Sequence, residues 1–311
     1  MTSPAVQRVS DRADHGTPDV PRGNLPRVLL TAITPMVWGT TYVVTTKLLP
    51  AGHPLFAGLL RALPAGLIAL ALTRTLPRGA WWGKAAVLGV LNIGLTFPLL
   101  FFAAERLPGG VAATLAAAQP LVVAVLAVAV LREWLSGWRL AWGVAGVAGV
   151  GLVVIGPKAG LDTAGVLAGL GSAASMALGV TLTKRWGRPA ESGPTAFAGW
   201  QLTAGGLFLV PITFLAEGAP PAITLHAVLG YLWMGLAGGL LAYVLWFRGF
   251  TTLPVSSVAV LVLLSPLVAA VLGAVVLGQT LGPIQLVGFA LSLAAIVVGQ
   301  LPPPARFTNR Q

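Results

Sequence analysis

The chain has 311 residues, of which 56% are hydrophobic and only 9% are charged. A soluble domain needs many more charged residues to cover its surface, so this composition excludes a soluble protein and predicts an all-α polytopic membrane protein. The net charge of +11 lies mostly in the tails and in short connectors between apolar runs. There, basic residues orient a membrane protein in the lipid bilayer, and we expect no nucleic-acid partner.

Residues 1–26 are polar and contain several prolines and charges, which predicts a disordered cytoplasmic tail and not a signal peptide. After this tail, apolar runs alternate with short connectors that contain glycine and proline. About 20 apolar residues in a helix are enough to cross a bilayer. We predict ten membrane-spanning helices, named span one to span ten in chain order: 28–49, 55–72, 82–102, 111–131, 140–155, 164–183, 197–215, 228–247, 255–277 and 284–301.

The basic residues predict the orientation of these spans. Fifteen of the 19 Lys and Arg residues fall on the side of the two termini, whereas Lys47, Arg106 and Lys158 fall on the other side. Basic residues concentrate on the cytoplasmic side of a membrane. We therefore expect both termini, including the short tail 302–311, to lie in the cytoplasm and the protein to reside in the cell membrane.

Two stretches, 107–135 and 253–281, align without a gap and share two prolines each. The matching pairs include Leu107/Leu253, Pro108/Pro254, Ala113/Ala259, Leu115/Leu261, Pro120/Pro266 and Leu135/Leu281. The copies lie five spans apart, so they cross the membrane in opposite directions. The sequence thus predicts two inverted five-helix repeats, residues 27–157 and 158–301. This organisation is typical of secondary transporters, whose substrate site lies near the midplane between the repeats.

The second proline of each copy predicts a helix kink near the middle of the bilayer. Pro120 and Pro266 follow the start of their copies' helices by about 18 Å, and each removes one backbone hydrogen bond. Gln119 and Ser265 stand directly before them, so each copy offers a free carbonyl beside a polar side chain. Broken backbone at this depth either lines a cavity or is buried in protein, and both alternatives are open.

Several motifs resemble one transporter family. They are Trp38-Gly39-Thr40-Thr41-Tyr42, Arg61-Ala62-Leu63-Pro64-Ala65-Gly66, Leu131-Arg132-Glu133-Trp134-Leu135, Trp200-Gln201-Leu202 and the stretch from Leu253-Pro254 to Pro266. Together they resemble the EamA-type members of the drug/metabolite transporter superfamily. The resemblance implies a ten-helix bundle whose central cavity is lined chiefly by spans one, three, four, six, eight and nine, and the export or exchange of small metabolites. Gln279 departs from the family pattern, where an acid matching Glu133 is expected.

Arg61 is the one charged residue well inside a predicted span. A cation at this depth is costly and indicates a functional site. The guanidinium could bind a carboxylate or phosphate of a substrate. The alternative is a structural role, in which Arg61 extends outward to the membrane surface or hydrogen-bonds the carbonyls of a neighbouring helix.

Polar residues recur at helical spacing on three spans and predict either a hydrated cavity or close helix packing. We expect Trp38 and Thr41 of span one, and Asn92 and Thr96 of span three, to face a cavity. The Ser172 and Thr183 stripe of span six is more typical of packing. Tyr243, the counterpart of Phe97 in the repeat alignment, is the aromatic residue expected in the cavity wall. Ala141, Ala145 and Gly149 in span five form a small-residue face that packs internally or between the protomers of a homodimer.

The predicted function is therefore a secondary transporter for a small molecule, working by alternating access. The alternatives are a non-transporting scaffold or receptor, or a membrane-embedded enzyme acting on a lipid intermediate. An enzyme needs His, Asp, Glu or Cys inside a span, and the sequence has none there. We expect neither a metal nor another cofactor, since the three histidines lie in the tail or connectors without paired carboxylates.

Overall fold

The computed structural model describes residues 25–119, 122–123, 125–126, 137–154, 162–219, 223–243, 245, 261 and 264–301. Every regular element among these residues is helical. The α-helices are Leu25–Gly39, Thr41–Leu48, Pro54–Thr73, Trp81–Gly89, Thr96–Arg106, Gly109–Ala117, Gly137–Val154, Thr163–Trp186, Pro194–Ala216, Leu225–Leu232, Leu264–Leu277 and Pro283–Gln300. Two π-helices, Val90–Leu95 and Trp233–Leu241, continue spans three and eight.

Five of the helical segments are long and apolar enough to cross a bilayer. They are Pro26–Leu48, Pro54–Thr73, Trp81–Arg106, Thr163–Trp186 and Pro194–Ala216. At 1.5 Å per residue, even the shortest of them reaches about 30 Å, the thickness of the hydrocarbon core. Shorter apolar helices occupy spans five, eight, nine and ten: Ala141–Val153, Leu225–Leu241, Leu264–Leu277 and Pro283–Ala295. The prediction of an all-helical polytopic membrane protein is confirmed, whereas the count of ten and the side of the termini stay predictions.

The outer surface of the bundle is apolar. Leu215 is 87% exposed, Val275 79%, Leu225 72% and Leu72 70%. In water such a surface would drive aggregation, but in a bilayer it is matched by the lipid chains. Helix contacts inside the bundle must therefore arise from close packing and from hydrogen bonds rather than from burial of apolar area.

The helices pack in pairs that follow the predicted repeat. Span two packs along span seven, span five along span ten, and span four along span nine. Span six lies against spans three and four, and span one lies against spans eight and nine. Each of these contacts joins a span of the first predicted half to a span of the second, so the two halves pack against each other along several helices.

Glycines bring the paired helices into backbone contact. A Cβ atom at Gly66 in span two would lie 2.5 Å from the backbone nitrogen of Thr203 in span seven. A Cβ atom at Gly149 in span five would lie 2.8 Å from the carbonyl oxygen of Gly288 in span ten. The glycine of the small-residue face in span five therefore packs within the chain, which answers the question left open for that residue.

Candidate functional site

Span two places Arg61 in the interior of the bundle. Its helix, Pro54–Thr73, begins at a proline, whose missing N–H costs nothing at a helix start. Glu217, which follows span seven, caps this start: its carboxylate accepts hydrogen bonds from the N–H groups of Leu55 at 2.7 Å and Phe56 at 2.9 Å. Arg61 lies about 10 Å further along the helix axis. Only 4% of Arg61 is exposed, so it does not extend outward to solvent.

The Arg61 guanidinium has one hydrogen-bond acceptor among the described residues. Its Nη1 donates to Thr41 Oγ1 at 3.4 Å. Its Cζ lies 4.6 Å from the ring centre of Phe97 and 5.8 Å from that of Phe101. Desolvated cation–π contacts contribute about 2 kcal/mol, which offsets only part of the several kcal/mol that burying a cation costs. The Nε atom is buried without a hydrogen-bond partner, so the guanidinium keeps an unused donor.

Trp38 and Tyr243 belong to the same region. Trp38 Nε1 donates to the carbonyl oxygen of Gly238 at 3.0 Å, and the Trp38 and Tyr243 rings meet edge to face with centroids 5.9 Å apart. A Cβ atom at Gly238 would lie 3.8 Å from Arg61 Nη2. The structure therefore brings together four predicted site residues, Trp38, Thr41, Arg61 and Tyr243, from spans one, two and eight.

Phe97, Phe101 and Gly238 complete this cluster, although none of them was a predicted site residue. Phe97 and Phe101 are separated by four positions, so they share a face of span three and present two rings to one guanidinium. Phe97 is the counterpart of Tyr243 in the repeat alignment, and this equivalence is the signal that could have identified it. Gly238 has no comparable signal, because it is one of several glycines in an apolar run.

Asn92 and Thr96 face a different neighbourhood, between spans three, six and seven. Asn92 is 7% exposed, and its Nδ2 donates to Gln201 Oε1 at 2.7 Å. Its Oδ1 is buried without a hydrogen-bond partner and lies over Gly179 of span six. Thr96 Oγ1 donates to the carbonyl of Leu91, five residues earlier, at 2.7 Å. These two candidates are held by protein contacts and do not touch Arg61.

The two π-helices stand at equivalent places in the two halves. The shift that aligns Leu107 with Leu253 carries residues 90–95 onto 236–241, within the second π-helix. In both halves, side chains from a span of the other half donate to carbonyls in or next to the π-helix. The pairs are Ser172 Oγ to Thr96 O at 2.9 Å, Ser175 Oγ to Leu91 O at 2.7 Å, Thr34 Oγ1 to Ala242 O at 3.0 Å, and Trp38 Nε1 to Gly238 O at 3.0 Å. Spans one and six therefore make equivalent hydrogen bonds to the π-helical regions of spans eight and three.

The remaining candidates are described only in part. Gln119 and Ser265 are half-buried, and the Ser265 carbonyl oxygen would lie 2.6 Å from a Cβ atom at Gly39. Pro266 is buried near the start of the helix Leu264–Leu277, whereas Pro120 lies outside the described residues. Neither polar side chain contacts Arg61 among the described residues. Nor does the described part of the chain hold a group of three or more His, Asp or Glu side chains suited to a metal ion.

Polar contacts tie helix ends together at the predicted outer side of the bundle. Gln279, which replaces the acid of the resembled pattern, accepts a hydrogen bond through Oε1 from the N–H of Gly109 at 2.8 Å. Arg106, at the end of span three, forms an ion pair with Asp162, at the start of span six. The hydrogen bond from Arg106 holds the pKa of the Asp162 carboxyl below its ordinary value. Gln279 therefore caps the start of span four at Gly109 with an uncharged amide oxygen, where the resembled pattern has an acid.

Comparison with known proteins finds relatives that match most of this chain. Protein PecM of Dickeya dadantii is 46% identical over 266 residues, which cover 86% of this chain and 89% of PecM. A WAT1-related chloroplastic protein of Arabidopsis thaliana is 29% identical over 85% of this chain and 67% of its own length. The uncharacterized transporter YwfM of Bacillus subtilis is 28% identical over 87% of this chain and 92% of its own length.

A solved crystal structure with 19% identity matches the fold at a TM-score of 0.62 and covers 88% of this chain and 96% of that chain. The profile of the EamA-like transporter family matches twice, at residues 25–155 and 163–299. The two matches are of similar length and together cover most of the chain. This chain belongs to the EamA-like transporter family.

Proposed function

We propose that this membrane transporter is a secondary transporter that exports or exchanges small metabolites, such as amino acids or related compounds, by alternating access. Two inverted five-helix repeats, 27–157 and 158–301, rock about a site near the bilayer midplane. Both termini lie in the cytoplasm and the protein resides in the cell membrane. The observation that supports this arrangement most strongly is the matched pair of π-helices, each hydrogen-bonded by a span of the other half.

The substrate contacts a set of residues distributed over both halves. Trp38, Thr41, Arg61 and Tyr243 form its centre, because they lie together and include a buried cation with an unused donor. Asn92 and Thr96 contribute after a rearrangement that frees them from Gln201 and Leu91. Gln119 and Ser265, beside the kinks at Pro120 and Pro266, extend the site towards spans four and nine.

The inverted topology makes a direct prediction for reporter fusions. A reporter active only in the cytoplasm should be active when fused in the connector after residue 131, and inactive when fused after residue 277. The reason is that span four and span nine cross the membrane in opposite directions, with the basic connectors inside. A fusion at each terminus serves as the cytoplasmic control. Equal activity at both connectors would contradict the inverted repeats.

Transport should depend only weakly on the proton gradient. A proton-coupled carrier usually titrates a carboxylate inside the membrane, and all eight Asp and Glu residues lie in tails, connectors or helix ends. Comparing metabolites in the medium of cells with and without overproduced protein identifies the substrate. Flux of that substrate is then measured in proteoliposomes. Loss of flux when the pH gradient is collapsed at constant membrane potential would contradict this prediction. The absence of any flux, with or without the gradient, would contradict the proposed transport function.

A further inference from the structure

The positive charge of Arg61 has no counter-charge in the described part of the chain. The described ion pairs are His53 with Glu217 and Arg106 with Asp162, and neither includes Arg61. The sequence excludes an acid from the interior, since none of its eight Asp and Glu residues lies well inside a span. A guanidinium that is 4% exposed in a low-dielectric interior favours any bound anion strongly. We therefore expect a bound ligand to supply the negative charge that the described residues lack near Arg61.

One edge of the guanidinium has no hydrogen-bond acceptor among the described residues. The Phe97 ring covers a face of the group at 4.6 Å, and Thr41 occupies Nη1. Nε has no hydrogen-bond partner, and Nη2 faces Gly238, where the side chain is a hydrogen atom. The Nε and Nη2 donors point in parallel, and a carboxylate accepts two such bonds at once. Gly238 thus places no side-chain atom beyond hydrogen beside these two donors.

The surroundings also restrict the charge of the ligand. A second negative charge, as on a phosphate monoester, would need a second cation, and the described interior offers Arg61 alone. An ammonium group would find no acid to pair with, since the sequence has none at that depth. The rings of Trp38, Tyr243 and Phe101 suit an apolar body. We propose that Arg61 and Gly238 select an organic monoanion, a carboxylate on an apolar or aromatic body, in preference to zwitterions and dianions.

This inference rests on the proposed transport function and restricts its substrates to related compounds that carry a carboxylate but lack the ammonium group of an amino acid. It is tested by equilibrium binding to purified protein in detergent, which requires no transport. The probes are 3-phenylpropanoate, its neutral amide 3-phenylpropanamide, and L-phenylalanine, which adds an ammonium group to the same body. We expect the acid to bind at least about 30-fold more tightly than the amide, since losing one partner of a buried charge pair costs about this much. L-Phenylalanine should bind more weakly than the acid.

Variants separate the contact from general effects of charge. Arg61→Gln should weaken binding of the acid at least about 30-fold and weaken binding of the amide much less, because the amide carries no charge. Arg61→Lys should fall between, because it keeps the charge and loses the paired donors. The matched control is Arg106→Gln, which removes the same charge from the exposed ion pair with Asp162 and should leave acid binding unchanged.

A second variant tests the site with Arg61 intact. Gly238→Ala places a methyl group 3.8 Å from Nη2, an ordinary contact distance that the fold tolerates. It should weaken acid binding several-fold without changing the amount of folded protein. Equal affinities for acid and amide in the unaltered protein, undiminished acid binding in Arg61→Gln, or no binding of the acid would each overturn the monoanion site. Acid binding without flux in proteoliposomes would contradict the proposed transport function and leave the monoanion site standing.

Discussion

Gly179→Ala is expected to destabilise the folded protein strongly, and a second substitution, Asn92→Ala, is expected to remove most of that penalty. A Cβ atom at Gly179 would lie 1.9 Å from Asn92 Oδ1 and 2.5 Å from its Cγ. The amide cannot turn away without breaking the 2.7 Å hydrogen bond from its Nδ2 to Gln201. Overpacking together with a lost buried hydrogen bond costs about 2–4 kcal/mol, a large share of the stability of a typical protein.

The measurement is the fraction of protein that elutes as a single species in detergent after a series of heating steps. Gly171→Ala is the matched control in the same helix, because its Cβ atom would meet only Leu99 Cδ1, at 3.4 Å. In the Asn92→Ala background the penalty of Gly179→Ala should largely disappear, since the Asn92 amide that clashes with the new methyl group is absent. If Gly179→Ala were as stable as Gly171→Ala, spans three and six would not meet at Asn92.

The positions of the helices could be predicted because the start and the length of each apolar run can be counted in the sequence. Span two was predicted at 55–72 and its helix is Pro54–Thr73. The helix of span three runs four residues beyond the prediction, to Arg106. The reason is that a helix end can carry charges once it reaches the membrane surface, so Glu105 and Arg106 end the apolar run without ending the helix.

The π-helices could not be predicted, and their effect on the candidate site is direct. Counting polar residues at α-helical spacing predicted that Asn92 and Thr96 share a cavity-facing side of span three. The π-helix Val90–Leu95 adds a residue to that turn and rotates the positions after it. As a result the Phe97 ring lies against the Arg61 guanidinium, while the Thr96 hydroxyl donates a hydrogen bond to the carbonyl of Leu91.

Arg61 could be identified from sequence because a charge within an apolar run is rare and costly. Two of its neighbours, Phe101 and Gly238, could not be identified, since they resemble many other residues of the spans. The contact from Trp38 to Gly238 joins residues 200 positions apart, and single-residue patterns carry no information about such pairs. The repeat alignment is the exception, because the equivalence of Phe97 and Tyr243 follows from the shared prolines alone.

Glu217→Ala is expected to have the second large effect, by removing the cap of span two. The N–H groups of Leu55 and Phe56 have no partner within their own helix, and the Glu217 carboxylate accepts both. The Glu217 side chain is only 9% exposed, so water cannot fully replace it. Two hydrogen bonds to a charged acceptor at the positive end of a helix stabilise the fold by about 2–4 kcal/mol.

Glu105→Ala is the control for removing a carboxylate at the same end of the bundle. Glu105 makes a single hydrogen bond, from the N–H of the exposed Gly52 at 3.1 Å, and should contribute about 1 kcal/mol or less. Glu217→Gln should lie between the two, because one amide oxygen can still accept but the charge is lost. Thermal midpoints of the three variants in detergent give the order. Equal midpoints for Glu217→Ala and Glu105→Ala would mean that span seven does not hold the start of span two, and the pairing of these spans would then rest on the glycine contacts along their length alone.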